Sequence, residues 1–357
     1  MTLEPNCKFA VIAANNARVD IPSALTLQDG TRVLSSSPFP LDATWRDWLG
    51  TMQSYNLQAC NLFLLRTATS GWPDGQLSIF GGDVDTKLQS DVGGIFAFLR
   101  IVGSIEYSDA FLLAGHAEDG APSCRHFATT MRFNTTGGCL PWVIREADLR
   151  TAVQLHRSYS ALLGKFPEKW RFSRGCRALK VALEQDYASD RLHGFVRSLE
   201  ALILPAQGKT ERQFVSRCSL FAGPKAEEAN IRALLQETYR MRCDIEHVHH
   251  WDRSLQAYPT AEREDVARWR TRQMEELACT VYRKVISDPV LQLHFYTDTA
   301  IESFWKKPED EIRAAFGNTC NVLQMKIVKK YSANWRAHPS EWPTEIFENL
   351  RPRAKSA

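Results

Sequence analysis

The sequence predicts a mixed α+β region over residues 1–145, followed by an all-α helical bundle over 146–357. Three observations lead there. Short apolar runs alternate with turn residues in the first part. Glycine becomes rare after Arg145. From that point apolar residues recur at helical spacing over long segments. At 357 residues the chain is too long for one typical core and suits two domains.

Taken in order, Phe9-Ala-Val-Ile-Ala reads as a short strand, and Thr44-Trp-Arg-Asp-Trp-Leu-Gly as a helix after the turn Pro38-Phe-Pro. Ala59-Cys-Asn-Leu-Phe-Leu-Leu is apolar enough for a buried strand. Ser70-Gly-Trp-Pro-Asp-Gly is a loop, and the stretch from Asp83 to Val102 can hold a helix. Two strands, Ala110–Ala114 and Arg125–Phe133, flank hairpin chemistry at Glu118-Asp-Gly-Ala-Pro-Ser. Asn134-Thr-Thr-Gly-Gly-Cys-Leu-Pro marks the boundary. Beyond it, helices are predicted over Glu146–Leu163, Arg177–Gln185, Asp190–Leu204, Thr210–Phe221, Ala226–His250, Ala261–Ile286, Asp298–Trp305 and Pro308–Phe316, with a frayed tail over Arg351–Ala357.

Composition narrows the function classes. Hydrophobic residues make up 44% and charged residues 24%, which are ordinary globular values. The 44 basic and 41 acidic residues leave a net charge of +3, so a nucleic-acid partner must be argued from a local site rather than from a general field. Nine scattered cysteines without a CxxC pair argue against a disulfide framework and a zinc knuckle, and point to free thiols in a reducing cytosol. The N-terminus lacks a basic segment followed by an apolar run, and no stretch of about 20 apolar residues occurs. The expectation is a soluble, cytoplasmic protein with no membrane partner. The absence of a GxxxxGK[ST] loop and of GxSxG counts against ATPase, kinase and α/β-hydrolase chemistry.

The feature that carries chemistry is Tyr239-Arg-Met-Arg-Cys-Asp-Ile-Glu-His247. Arg240 lies seven residues before His247 and shares its helical face, whereas Arg242 is rotated from His247 by roughly 140°. Arginine offers a permanently charged fork that matches phosphate oxygens. Histidine titrates near neutral pH and can give or take a proton. RNA brings its own nucleophile, the 2′-hydroxyl, so an Arg and a His suffice without a metal or other cofactor.

Two further blocks precede it: Arg197-Ser-Leu-Glu200-Ala-Leu-Ile-Leu and Thr210-Glu-Arg-Gln-Phe-Val-Ser-Arg-Cys-Ser-Leu-Phe-Ala. In this order the three blocks resemble the HEPN superfamily, particularly its Apea-like branch, over roughly Ser158 to Ile286, about a third of the chain. The resemblance implies a bundle of four or five helices that homodimerises, and a metal-independent endoribonuclease of toxin or anti-phage type. It maps the family's Arg onto Arg242, its His onto His247 and its acidic helix position onto Glu200, which either orients the site or caps a buried network. Tyr239, Arg240 and Asp244 are supporting residues. The chain departs from the family pattern at Cys243, where a polar residue is usual, and at Val248, where Gly is usual. Because some HEPN domains have lost catalysis, a non-catalytic module binding RNA, nucleotide or protein is the alternative.

Other candidates are weaker. Lys169-Trp-Arg-Phe-Ser-Arg-Gly-Cys-Arg interleaves cations with aromatics, which makes Arg171, Arg174 and Arg177 RNA-path candidates beside the reading as a solvated helix start. His249 can assist RNA binding. His247-Val-His249-His250 does not suit a metal, because histidines one or two apart on a helix do not face one ion.

Overall fold

The computed structural model describes residues 3–69, 84–103, 109–118, 121–130, 143–165, 170–317, 320–324, 327–330 and 344–347. The predicted loop at Ser70–Gly75, the boundary Asn134–Pro141, Lys169 and the tail from Arg351 lie outside them. The chain forms two compact units, one of Met1–Asn134 with Pro141–Arg157, the other of Thr135–Leu140 with Ser158–Ala357.

The first unit is built on strands β1 (Cys7–Asn15), β2 (Val19–Asp20), β3 (Ala24–Thr26) and β4 (Arg32–Leu34), helices α1 (Ala43–Leu49) and α2 (Thr51–Gln58), strand β5 (Cys60–Thr69), helix α3 (Val84–Val102), and strands β6 (Ala110–Glu118), β7 (Ala121–Thr130) and β8 (Ile144–Arg145). Helix α4 (Glu146–Lys165) begins here, and the division of the chain falls within it. Six strands form one antiparallel sheet in the order β3-β4-β5-β1-β6-β7. β1 lies in its middle and is buried on both faces, so it reads as a nearly unbroken apolar run. Phe9, Val11 and Ala13 pack with Phe63, Leu65, Phe111, Trp45 and Leu57 on the face covered by α1 and α2. Helix α3 lies across β1, β5 and β6. Asp42 caps α1 by accepting from the Trp45 N–H. Gly115 sits at a register shift against β7, where a Cβ would come 1.9 Å from the Ser123 carbonyl oxygen.

The second unit holds α5 (Trp170–Glu184), α6 (Ala188–Ile203), α7 (Thr210–Cys218), α8 (Glu228–Glu246), α9 (Thr260–Ser287), α10 (Pro289–Gln292), α11 (Asp298–Phe304) and α12 (Glu309–Phe316), then strands β9 (Ile327–Lys330) and β10 (Thr344–Phe347). α6 is the hub and packs against α5, α7, α8 and α9. At its crossing with α5, Gly194 lets the backbone approach Ala182, where a Cβ would stand 2.6 Å from the alanine methyl. α9 buries Val266, Met274, Leu277, Val281 and Val285 together with charged groups. Arg191 and Glu275 pair at 3.0 Å with 2% of each side chain exposed, and Arg270 pairs with Glu237 at 2.7 Å. Such pairs hold position because removing one partner strands a buried charge.

Three expectations need correction. The helix expected from Arg177 begins at Trp170. Phe172, Cys176, Leu179 and Leu183, spaced four, three and four apart, are all buried and extend the apolar stripe backwards. The helix expected to reach His250 stops at Glu246. The region after 146 is not wholly helical, because β9 and β10 pair antiparallel, with Ile327 opposite Phe347. The β-branched Ile327 and Val328 favour that choice. No helix among the described residues is long and apolar enough to cross a membrane.

Candidate functional site

Helix α6 has two faces. Leu192, Phe195, Val196, Leu199, Leu202 and Ile203 are buried. Opposite them, Asp190, His193, Arg197 and Glu200 recur at intervals of three, four and three, which stacks them in one polar stripe. Leu204 ends the helix in the left-handed conformation, and Pro205 prevents its continuation.

That stripe forms one wall of a groove of 1170 Å³. Helix α5 supplies Arg171, Arg174 and Arg177 to the same groove, and α8 supplies Tyr239 and Arg242. Six of the residues singled out from sequence therefore meet there: Arg171, Arg174, Arg177, Glu200, Tyr239 and Arg242. The arginines differ in company. Arg171 forms a two-pronged pair with Asp298 at 2.9 and 3.1 Å. Arg177 and Arg197 are exposed and form no ion pair among the described residues.

Arg242 is the best held of these cations. Its side chain is 12% exposed, donates to Glu200 Oε2 at 3.3 Å and is paired with Glu246 one turn on. Its guanidinium carbon stands 5.6 Å from the centre of the Tyr239 ring. Tyr239 donates its hydroxyl to the other oxygen of Glu200 at 3.1 Å. Glu200 thus positions both groups, while Arg242 Nε is buried without a hydrogen-bond partner among the described residues. Burial raises the Glu200 carboxyl above its ordinary range, and Arg242 and Tyr239 offset this only in part. Burial pulls the Arg242 guanidinium down, but Glu200, Tyr239 and Glu246 outweigh it and hold it above its usual value. Burial also pushes the Cys243 thiol up, so it is a neutral thiol at neutral pH.

His247 is placed differently. It is exposed, does not line the groove, and its ring has no hydrogen-bond partner among the described residues. The helix is continuous from Glu228 through Glu246 with His247 as its C-cap, so within one chain helical spacing leaves His247 roughly 140° around the axis from Arg242. The turn behind it is a Schellman motif. His249 N–H donates to Asp244 C=O at 2.8 Å, and Val248 N–H donates to Ile245 C=O at 2.9 Å. This motif puts Val248 at φ 57 with 93% of its surface exposed, a conformation in which a β-branched residue is strained. Val248→Gly is expected to raise stability by roughly 0.5–1 kcal/mol, the relief of strain less the added freedom of the unfolded chain. Chemical denaturation measures it.

The remaining sequence candidates scatter. Arg240 lines a separate groove of 790 Å³ beside α7 and pairs with Glu211 at 3.3 Å. Asp244 accepts from the Ser254 hydroxyl at 2.6 Å and ties down the segment after α8. His249 is exposed beyond the helix end. No group of three or more His, Cys, Asp or Glu side chains among the described residues is arranged to hold a metal.

The sequence reading missed His193. Its signal was the spacing Asp190-x-x-His193-x-x-x-Arg197-x-x-Glu200, which aligns it with a residue already singled out. The geometry as a whole suits binding a polyanion along arginines that converge on a fixed guanidinium. Comparison of the chain with family models, curated proteins and solved structures finds no match.

Proposed function

We infer that the second unit is a HEPN-type, metal-independent endoribonuclease, acting in prokaryotic anti-phage defence or as a toxin. The observation that carries this reading is the meeting of Arg171, Arg174, Arg177, Arg197 and Arg242 in one groove with Glu200 and Tyr239. A phosphodiester chain fits such a row of cations. Arg242, braced by Glu200, offers its fork to the scissile phosphate and stabilises the charge that develops there. The 2′-hydroxyl attacks phosphorus, the bond to the 5′-oxygen breaks, and the products are a 2′,3′-cyclic phosphate and a 5′-hydroxyl. In this reading two copies of the chain form the cleft, and His247 acts as general acid or base across their interface.

The test is direct. Purified full-length protein is expected to cut single-stranded RNA in EDTA and leave 2′,3′-cyclic phosphate ends, while His247→Ala does not. Equal cleavage by both proteins removes His247 from the mechanism. One observation favours a second reading, an RNA-binding module without catalysis. Arg242 is already paired with two carboxylates, and His247 lies outside the groove. Binding of RNA without cleavage by the wild type selects that reading.

A further inference from the structure

Resting on the ribonuclease reading above, we propose that His193 is the base that takes the 2′-hydroxyl proton in the groove. The stripe on α6 sets its ring between Asp190 and Arg197 and in line with Glu200, all of them lining the groove that Arg242 closes from α8. His193 is the histidine found in that lining. Its ring is half-buried, lines the groove and makes no hydrogen bond or ion pair among the described residues. His156, by contrast, is engaged with Asp91 at 3.6 Å, and the ring of His250 accepts from the Asp252 N–H at 3.3 Å.

The electrostatic setting suits a base. The charges acting on His193 are Arg242 and Glu246 from α8 and Arg197 and Asp190 from α6; the α5 arginines line the same groove. Burial first, and Arg242 second, hold the imidazole below its ordinary pKa. A lowered pKa leaves the ring neutral at pH 7 and able to accept a proton. In the step itself, a neutral nitrogen of His193 takes the proton from the 2′-hydroxyl as O2′ bonds to phosphorus. The P–O5′ bond breaks, and the leaving oxygen takes a proton from His247, which serves here as the acid and regains a proton from solvent. His193 then returns its proton to solvent. No oxidant, reductant or further reactant is consumed.

The experiment uses full-length protein, a fluorescent single-stranded RNA and single-turnover cleavage across pH 4.5–8.5. His193→Gln and His193→Asn are expected to lower the rate by about 10²–10⁴-fold. RNA affinity, read by anisotropy, should stay within a few-fold, and the acidic limb of the pH–rate profile should vanish. In the wild type that limb falls below the ordinary imidazole value of about 6.5. Arg197→Gln removes a cation that holds the ring down, so it moves the limb, and the His193 ring resonances in an NMR titration, to higher pH. Wild-type cleavage matched by both His193 variants overturns this proposal and leaves the ribonuclease reading standing. Equal losses of rate and affinity, with the acidic limb retained, make His193 a binding group and also overturn it. Absence of cleavage by the wild type removes the ribonuclease reading and this proposal together.

Discussion

Arg242→Ala is expected to cut single-stranded RNA about 10³-fold more slowly than the wild type, the scale on which losing one preorganised donor to a developing charge is felt. The guanidinium is fixed before any substrate arrives, by Glu200 on one side, Glu246 on the other and the Tyr239 ring beside it. A fixed donor does not have to reorganise as negative charge builds on the phosphate. RNA binding should weaken far less than the rate, because Arg177 and Arg197 still present cations along the groove. The alanine variant also leaves the largely buried Glu200 without its cation, so part of its effect is structural. Arg242→Lys separates the two contributions. It keeps a charge near Glu200 but lacks the planar fork, and is expected to fold with a melting temperature close to that of the wild type while losing most of the rate. Single-turnover cleavage beside thermal unfolding checks both. A lysine variant as active as the wild type would show that point charge, not two-pronged recognition, is what the groove needs.

Gly175→Ala should be the most damaging small change in the helical unit. Gly175 lies on α5 where it crosses α6 and α9. A Cβ there would stand 2.0 Å from the Tyr282 hydroxyl oxygen, 2.6 Å from the Ala201 Cβ and 3.3 Å from the Ser198 carbonyl oxygen. None of these neighbours is the end of a flexible chain. Tyr282 is fully buried and donates to that same Ser198 carbonyl at 2.9 Å. The added methyl therefore forces α5 outward or breaks the hydrogen bond. Overpacking together with an unsatisfied buried hydroxyl is worth on the order of 3 kcal/mol. For a unit of this size that corresponds to a fall in melting temperature of roughly 6–12 °C. Tyr282→Phe removes the closest obstacle, so Gly175→Ala/Tyr282→Phe should lose less stability than the two single changes summed. Strict additivity would show that the hydroxyl is not what the methyl meets.

How much of this was legible depends on what holds each element. β1, β5 and α9 were readable because burial writes itself into the residues, as unbroken apolar runs in the strands and recurring apolar positions in the helix. β2, β3, β4 and β8 were not, since two or three residues carry no period and exist only through their partners. β9 finds its partner β10 across intervening chain, a pairing that local pattern does not encode. The end of α8 at Glu246 escaped because the usual glycine signal is absent and valine occupies the left-handed position instead. For the candidate site, sequence named Arg242, Glu200 and the α5 arginines, whose chemistry is plain from residue type. It overlooked His193, which has no motif of its own and gains meaning from what α5 and α8 set beside it.

The carboxylates around these arginines bear on how strongly ionic strength governs binding. Arg242 is already neutralised by Glu200 and Glu246, and Arg171 by Asp298. A phosphate that arrives at either displaces a protein anion rather than a dissolved one. Fewer small ions are then set free than the number of arginines suggests, and the entropic gain that drives most protein–nucleic acid association shrinks accordingly. If the proposed RNA binding holds, the groove would take its ligand by shape and fixed donors more than by bulk attraction, in keeping with a chain whose net charge is only +3.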